Sequence, residues 1–416
     1  MSELKKSLLI SFLNRYSILL ITIISSMIIA RLLTPKEIGI FSVAASLIGI
    51  AHTLRDFGVS SYLIQTKEIS NDKIKSAFTI TAIMAWSIAC LLFATKNYIA
   101  DFYNQPELHI IIQILSLNFI ILPFSSITIA LLKREMQFGK LYKITVIAAI
   151  AQAITTITLA KLDYGFYSLA WGGFANIFVT AIGAQLILPN FSNFKLSFKA
   201  TKTILNFGGK LSVASLVNET GVYAPDLLIG KLMGFLSVGL FSRALGFISL
   251  IEHTLTDAIR PVLLPYFSKS NREDKNINLI FFKIVNYYLA VVLPLLGLVS
   301  LIAYHLIRVL YGPQWEEAIP IAQILCLGMA FKSLNFLISP FVLSYGYANR
   351  IVSAQFMYQT LRLLAIIHGV QLGSLEKISI NLVIVEFLGF FIFFSKTRNI
   401  DIKLIYLIKL ILKNIF

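Results

Sequence analysis

Charge is scarce in this chain: only 13% of its 416 residues are Asp, Glu, Lys or Arg. A soluble core of that size needs a large polar surface, and this composition leaves too little to make one. Acids are scarcer still, 20 against 36 basic residues, for a net charge of +16. The two cysteines, Cys90 and Cys326, sit inside apolar runs. Neither has metal-ligand spacing or a pattern suited to an oxidising compartment, so both read as packing residues. Gly208-Gly209-Lys210-Leu211 lacks the spacing and the Ser/Thr of a phosphate loop. There is no His/Glu zinc pattern and no strand-to-helix serine elbow. These absences exclude soluble enzymes, disulfide scaffolds, disordered tails and an ATPase of its own.

What the chain has is apolar residues, 57% of 416, or about 237. A helical crossing takes about 20, so twelve crossings use roughly 240. Apolar runs fall at 8–30, 38–64, 75–95, 108–132, 141–160 and 166–188, then at 204–232, 236–266, 280–303, 317–344, 351–370 and 378–395. The polar stretch Pro189–Thr203 separates two sets of six. The reading is an all-α polytopic membrane protein with about 12 transmembrane helices in two parallel six-helix lobes around a central cavity. The lobes are expected at 1–195 and 196–395, followed by a basic amphipathic cytoplasmic tail at 396–416, an interfacial helix with snorkelling lysines. The first apolar run, behind Lys5 and Lys6, is interrupted by Asn14 and Arg15 and lacks a small-residue cleavage site, so an uncleaved first helix is expected.

Loop charge orients the chain. With both termini cytoplasmic, 23 Lys/Arg fall on inside segments and 7 outside, the positive-inside bias. That bias accounts for most of the +16 without any nucleic acid.

The chain also repeats itself. At an offset of 200, IARLLTPKEIGIFSVA (29–44) faces IGKLMGFLSVGLFSRA (229–244), with Ile29/Ile229, Leu32/Leu232, Gly39/Gly239, Phe41/Phe241, Ser42/Ser242 and Ala44/Ala244 identical. At an offset of 210, Gln113-Ile-Leu-Ser-Leu117 faces Gln323-Ile-Leu-Cys-Leu327. Six spans is an even number, so the repeats are parallel. Two such lobes suit alternating access, a transporter's architecture.

Charges left inside spans are costly in lipid and mark a watery interior or buried pairs. His52, Arg55 and Asp56 fall at i, i+3 and i+4, one helical face; His253, Asp257 and Arg260 repeat the idea on the eighth span. Arg55-Asp56 also reads as a self-neutralised structural pair. Arg15 has no acid at i±3 or i±4, which makes it a candidate for gripping an anionic ligand, since guanidinium matches phosphate with paired donors. Arg243, Arg362 and Glu386 stand close enough to span ends to reach the interface, and Lys332 completes the buried basic set. On the seventh span Glu219, Tyr223 and Asp226 lie at i, i+4 and i+7, with Gly221 and Pro225 interrupting the helix. The two carboxylates there could bind Na⁺ or relay H⁺, or pair with Arg243 or Lys332 around a simple kink.

ARLLTPKEIGIFSVAASLIGI (30–50), LRDFGVSSYLIQ (54–65) and PDLLIGKLMG (225–234) resemble the polysaccharide-exporting flippases. Their superfamily also holds multidrug/toxic-compound exporters and the lipid II flippase. The resemblance implies translocation of an undecaprenyl-diphosphate-linked oligosaccharide unit from the cytoplasmic to the periplasmic leaflet of the bacterial inner membrane, without covalent chemistry. It implies cavity arginines at Arg15, Arg55 and either Arg243 or Arg260, and cation coupling at Asp226. Two extra spans found in some relatives are absent here.

The substrate-binding set is therefore Arg15, His52, Arg55, Asp56, Arg243, His253, Asp257, Arg260 and Lys332. The coupling set is Glu219 and Asp226, with Na⁺ or H⁺ as the coupling ion and no cofactor, no metal site and no catalytic residue. Expected partners are the lipid-linked glycan, membrane lipids and the glycan polymerase machinery, with the chain acting as a monomer. A drug exporter of the same fold would want an acidic, aromatic cavity. A glycan polymerase or glycosyltransferase would need a large extramembrane loop. Neither feature is present.

Overall fold

The computed structural model describes residues 3–187, 195–256, 259–273 and 276–397. The described part is helical, with no strand in it. The first repeat contains α1 (Glu3–Leu32), α2 (Pro35–Asp56), α3 (Val59–Gln65), α4 (Asn71–Tyr103), α5 (Leu108–Ile121), α6 (Pro123–Arg134), α7 (Phe138–Lys161) and α8 (Tyr167–Ile187). The second contains α9 (Thr201–Leu232), α10 (Phe235–Thr256), α11 (Arg260–Arg272), α12 (Ile277–Tyr311), α13 (Ala318–Ser344), α14 (Ala348–Gln371) and α15 (Leu375–Ser395). Most of the expected tail lies outside the described residues.

The duplication seen in sequence governs the helix boundaries. α2 and α10 start 200 residues apart; α7 and α14 match in length at an offset of 210. The repeated glutamines do the same work. Gln113 of α5 accepts from Lys96 Nζ of α4 at 3.1 Å, and Gln323 of α13 donates to the Ser300 carbonyl of α12 at 3.0 Å. Both tie the fourth span of a repeat to the third. The turns before them agree as well, since α4 ends at a left-handed Asn104 (φ 52°) and α12 at Gly312 (φ 101°).

Local chemistry sets the boundaries. Thr34 caps α2 in a capping box with Glu37, and Pro35 occupies the first turn, where its missing N–H costs nothing. Pro123 follows the break between α5 and α6, whose axes bend by 52°. α9, by contrast, runs unbroken through Pro225. The interruption expected there is a missing hydrogen bond rather than an unwound segment: Pro225 has no N–H to offer the Gly221 carbonyl four residues back.

Among the described residues nine helices are long and apolar enough to cross a membrane, ten counting the bent α5–α6 pair as one. The protein is a multi-pass membrane protein. α9 and α14, at 32 and 24 residues, have the length but do not pass on composition. They carry Glu219, Asp226 and Arg362, so the charges that suggest function are also what makes these helices too polar to pass.

The chain divides into two compact units, Met1–Tyr223 and Ala224–Phe416. Residues 195–200 are fastened to the first. The Ser197 amide donates to Thr79 Oγ1 at 2.9 Å, the Ala200 amide to Ser76 Oγ at 3.1 Å, and Lys199 pairs with Asp72. Ile204, fully buried, then joins Leu63, Phe78 and Ala130 in that unit's core.

Candidate functional site

α2 ends on an unusual turn. Phe57 (φ 37°) and Gly58 (φ 66°) are both left-handed, which lets α3 resume at Val59 in a new direction. Gly58 adopts this freely, whereas Phe57 does so at a cost of roughly 1–2 kcal/mol. Neighbours hold the turn in place. Arg134 of α6 donates to the Leu63, Thr66 and Lys67 carbonyls at 2.8, 2.6 and 3.1 Å, satisfying the orphan acceptors at the end of α3. Gly208 of α9 lies so close to the Phe57 carbonyl that a Cβ would collide with it.

This turn borders a cavity of ≈ 530 Å³ within the first unit. His52, Arg55 and Asp56 of α2 line it together, as their spacing predicts, with Lys133 of α6 and Ser212, Ser215, Glu219 and Tyr223 of α9. The His52 ring rests on Phe119, centroids 4.7 Å apart. Gly49 leaves the Tyr223 ring room, since a Cβ there would overlap it. The Arg55 Nε is buried without a hydrogen-bond partner. Arg55 also lines the cavity, and a guanidinium there offers paired donors to an acceptor arriving from it. Three basic groups and two carboxylates thus face one space of ligand size.

The second unit holds a tighter cluster. Glu252 of α10 and Lys332 of α13 pair at 2.8 Å. With Arg362 of α14 and Glu386 of α15 they line a cavity of ≈ 40 Å³, large enough for water alone. Tyr358 donates to Glu386 Oε1 at 2.6 Å. Arg362 and Glu386 are 7% and 8% exposed, so neither reaches an interface as sequence position allowed. Sequence reasoning missed Lys133, counted as a loop charge; it named Arg362 and Glu386 singly, as charges near span ends, and missed that they meet each other and Tyr358.

Of the remaining predicted residues, Arg15, Asp226 and Arg243 line neither cavity. Arg15 is on the exposed face of α1. The Arg243 guanidinium lies over the Tyr311 and Trp315 rings at 4.6 and 4.7 Å, and Trp315 is fully buried. Asp226 accepts from Ser242 Oγ at 2.8 Å. His253 falls in α10 and Arg260 opens α11, while Asp257 lies outside the described residues. Among the described residues no group of three His, Cys, Asp or Glu could hold a metal ion.

A family model described as "Polysaccharide biosynthesis protein" matches residues 28–320, a range that includes all three stretches carrying the resemblance. The lipopolysaccharide biosynthesis protein WzxC of Escherichia coli is 23% identical over 370 residues, covering 87% of this chain and 74% of that protein. The succinoglycan biosynthesis transport protein ExoT of Rhizobium meliloti is 22% identical over 349 residues, 84% and 70% of the two chains. Among solved structures, the lipid II flippase MurJ in an inward closed conformation superposes with a TM-score of 0.79 at 12% identity, over 98% of this chain and 90% of that one. At that identity the likeness establishes the fold.

Proposed function

This chain belongs to the polysaccharide biosynthesis protein family, and from that premise we propose that it is a flippase moving an undecaprenyl-diphosphate-linked oligosaccharide unit from the cytoplasmic to the periplasmic leaflet. It is a transporter and makes or breaks no covalent bond. The observation that carries the reading is the first-unit cavity, where Arg55 faces the same space as Lys133 and His52. A diphosphate offers acceptors that match these donors. Asp56 and Glu219 offset the positive charge, so an empty cavity is not left strongly cationic in a low-dielectric setting.

The chain resides in the bacterial inner membrane with both termini cytoplasmic, as two six-span lobes at 1–195 and 196–395 followed by the basic tail. α9 and α14 complete twelve crossings. Transport proceeds by alternating access. It is coupled to Na⁺ or H⁺ through Glu219 and Asp226. The protein acts as a monomer beside the glycan polymerase machinery.

The test is chemical. A strain lacking this protein, extracted and analysed by mass spectrometry, accumulates undecaprenyl-diphosphate oligosaccharide on the cytoplasmic side, and the wild-type chain clears it. A deletion strain with no such accumulation and normal surface glycan overturns the proposal.

A further inference from the structure

A second cavity in the first unit has a different chemistry. It measures ≈ 260 Å³ and is walled by α1, α7 and α8. Its polar lining is Thr22 and Ser25 of α1, Thr145 and Gln152 of α7, and Asn176 and Thr180 of α8. No charged residue lines it, in contrast to the basic cavity at the end of α2. The rest of the lining is small or aliphatic, with Ile18 and Ile21 facing Ala148, Ala149 and Ala153.

Polar side chains on membrane helices normally find partners within the protein, because lipid offers none. Two in this cavity do so. Thr145 donates to Asn14 Oδ1 at 2.8 Å and to its own helix, and Ser25 donates to the Thr22 carbonyl. The side-chain amides of Gln152 and Asn176 have no hydrogen bond to any described residue. Gln152 is exposed and Asn176 and Thr180 are half-buried, so two amides and a hydroxyl line one uncharged space with donors and acceptors open to a ligand. A carboxamide offers one carbonyl and two N–H groups, and a hydroxyl offers both roles.

We propose that this cavity is a subsite for one uncharged sugar residue of the transported glycan, bound through its hydroxyls by Gln152, Asn176 and Thr180. Sugar hydroxyls donate and accept at once, which fits amides better than it fits arginine. The apolar floor takes the C–H face of the ring. The volume suits a single ring, and the absence of charge rejects phosphate and uronate alike. A site built to hydrogen-bond hydroxyls discriminates strongly against ligands that lack them. The inference rests on the flippase reading and deepens it, by separating the sugar-recognising wall from the diphosphate-recognising one.

The experiment places a single cysteine in each cavity of the full-length purified protein. Cys90 and Cys326 are replaced by Ser and Ala, and Ser25→Cys, which lines the neutral cavity without being one of the proposed sugar contacts, or Ser215→Cys is then introduced. The rate of modification by a small maleimide is read with glucose, galactose, N-acetylglucosamine, inorganic pyrophosphate or hexanediol present. At about twice its dissociation constant, a neutral sugar slows labelling at Ser25→Cys about threefold and leaves Ser215→Cys unchanged. Pyrophosphate does the reverse. Adding Gln152→Leu with Asn176→Leu abolishes the sugar effect while pyrophosphate protection at Ser215→Cys persists, which shows that the variant is folded. No protection by any neutral sugar, or equal protection by hexanediol, overturns the sugar subsite. Loss of pyrophosphate protection alone counts against the diphosphate reading and leaves the sugar result standing.

Discussion

Lys332 Nζ donates a 2.8 Å hydrogen bond to Glu252 Oε2, and Glu252 stands at the place in α10 that His52 holds in α2. In the first unit the side chain at this position lies on an aromatic ring of α5; in the second it reaches a lysine of α13, the counterpart of α5. One repeated position has been given to an open, ligand-sized cavity in one unit and to a closed ion pair in the other.

The pair is half-buried, with side chains 41% and 17% exposed. Its loss should fall between the exposed and fully buried limits, about 1–2 kcal/mol. Lys332→Met strands the Glu252 carboxylate near Glu386 and lowers the melting midpoint of the detergent-purified protein. Adding Glu252→Gln removes the stranded charge and recovers most of the loss. A double variant no more stable than Lys332→Met would show that the two residues do not act as a pair.

Arg55→Ala is expected to reduce export of the lipid-linked glycan by about 10- to 100-fold at equal membrane abundance, since a charge-assisted hydrogen-bonding partner contributes about 1.5–3 kcal/mol. Arg55→Lys keeps the charge but not the paired donors, so it should be intermediate. Lys133→Ala belongs to the same wall and should show a smaller defect of the same kind. Wild-type export by Arg55→Ala would remove this residue from the site.

Three glycines near the cavities separate space from flexibility. A Cβ at Gly208 meets the Phe57 carbonyl, which is backbone and cannot swing aside; at Gly49 it meets the Tyr223 ring; at Gly173 it meets nothing within 4 Å. Gly208→Ala should therefore lower folded yield most. Gly49→Ala should be rescued by Tyr223→Ala, and Gly173→Ala should be neutral or stabilising by up to about 1 kcal/mol through helix propensity. Fluorescence-detected size exclusion of the four variants gives the ranking. A Gly208→Ala yield equal to that of Gly173→Ala would mean that α9 does not depend on this close approach.

Periodicity was enough to read most of the architecture. The i, i+3, i+4 spacing of His52, Arg55 and Asp56 places them on one face, and all three line one cavity. The 200- and 210-residue offsets reappear as helix boundaries. Packing across helices left no such trace. Lys133 sits among charges that read as loop topology, and the cluster around Glu386 needs α10, α13, α14 and α15 side by side before it exists. Arg243 shows the same limit. Nothing local signals that Tyr311 and Trp315, far along the chain, would cover its guanidinium. The neutral cavity of α1, α7 and α8 is harder still to read, because lone Thr, Asn and Gln residues in apolar runs look like ordinary interhelical contacts.

Coupling is the remaining question, and Asp226 offers a clean substitution. Its carboxylate accepts from Ser242 Oγ at 2.8 Å, and Asn in its place keeps the shape and the acceptor while removing the charge. A coupled carboxylate must bind its cation more tightly in one access state than in the other, and that difference is what links glycan movement to the gradient. In vesicles containing the wild-type chain, export should then slow when either the proton or the sodium gradient is collapsed, and the collapse that matters identifies the ion. Asp226→Asn should transport slowly and be indifferent to the same treatment, and Glu219→Gln should behave likewise if both carboxylates take part. Ser242→Ala removes only the hydrogen-bond donor, so it should retain gradient dependence with a shifted cation affinity. If Asp226→Asn and Glu219→Gln both keep the wild-type response, neither carboxylate carries the ion.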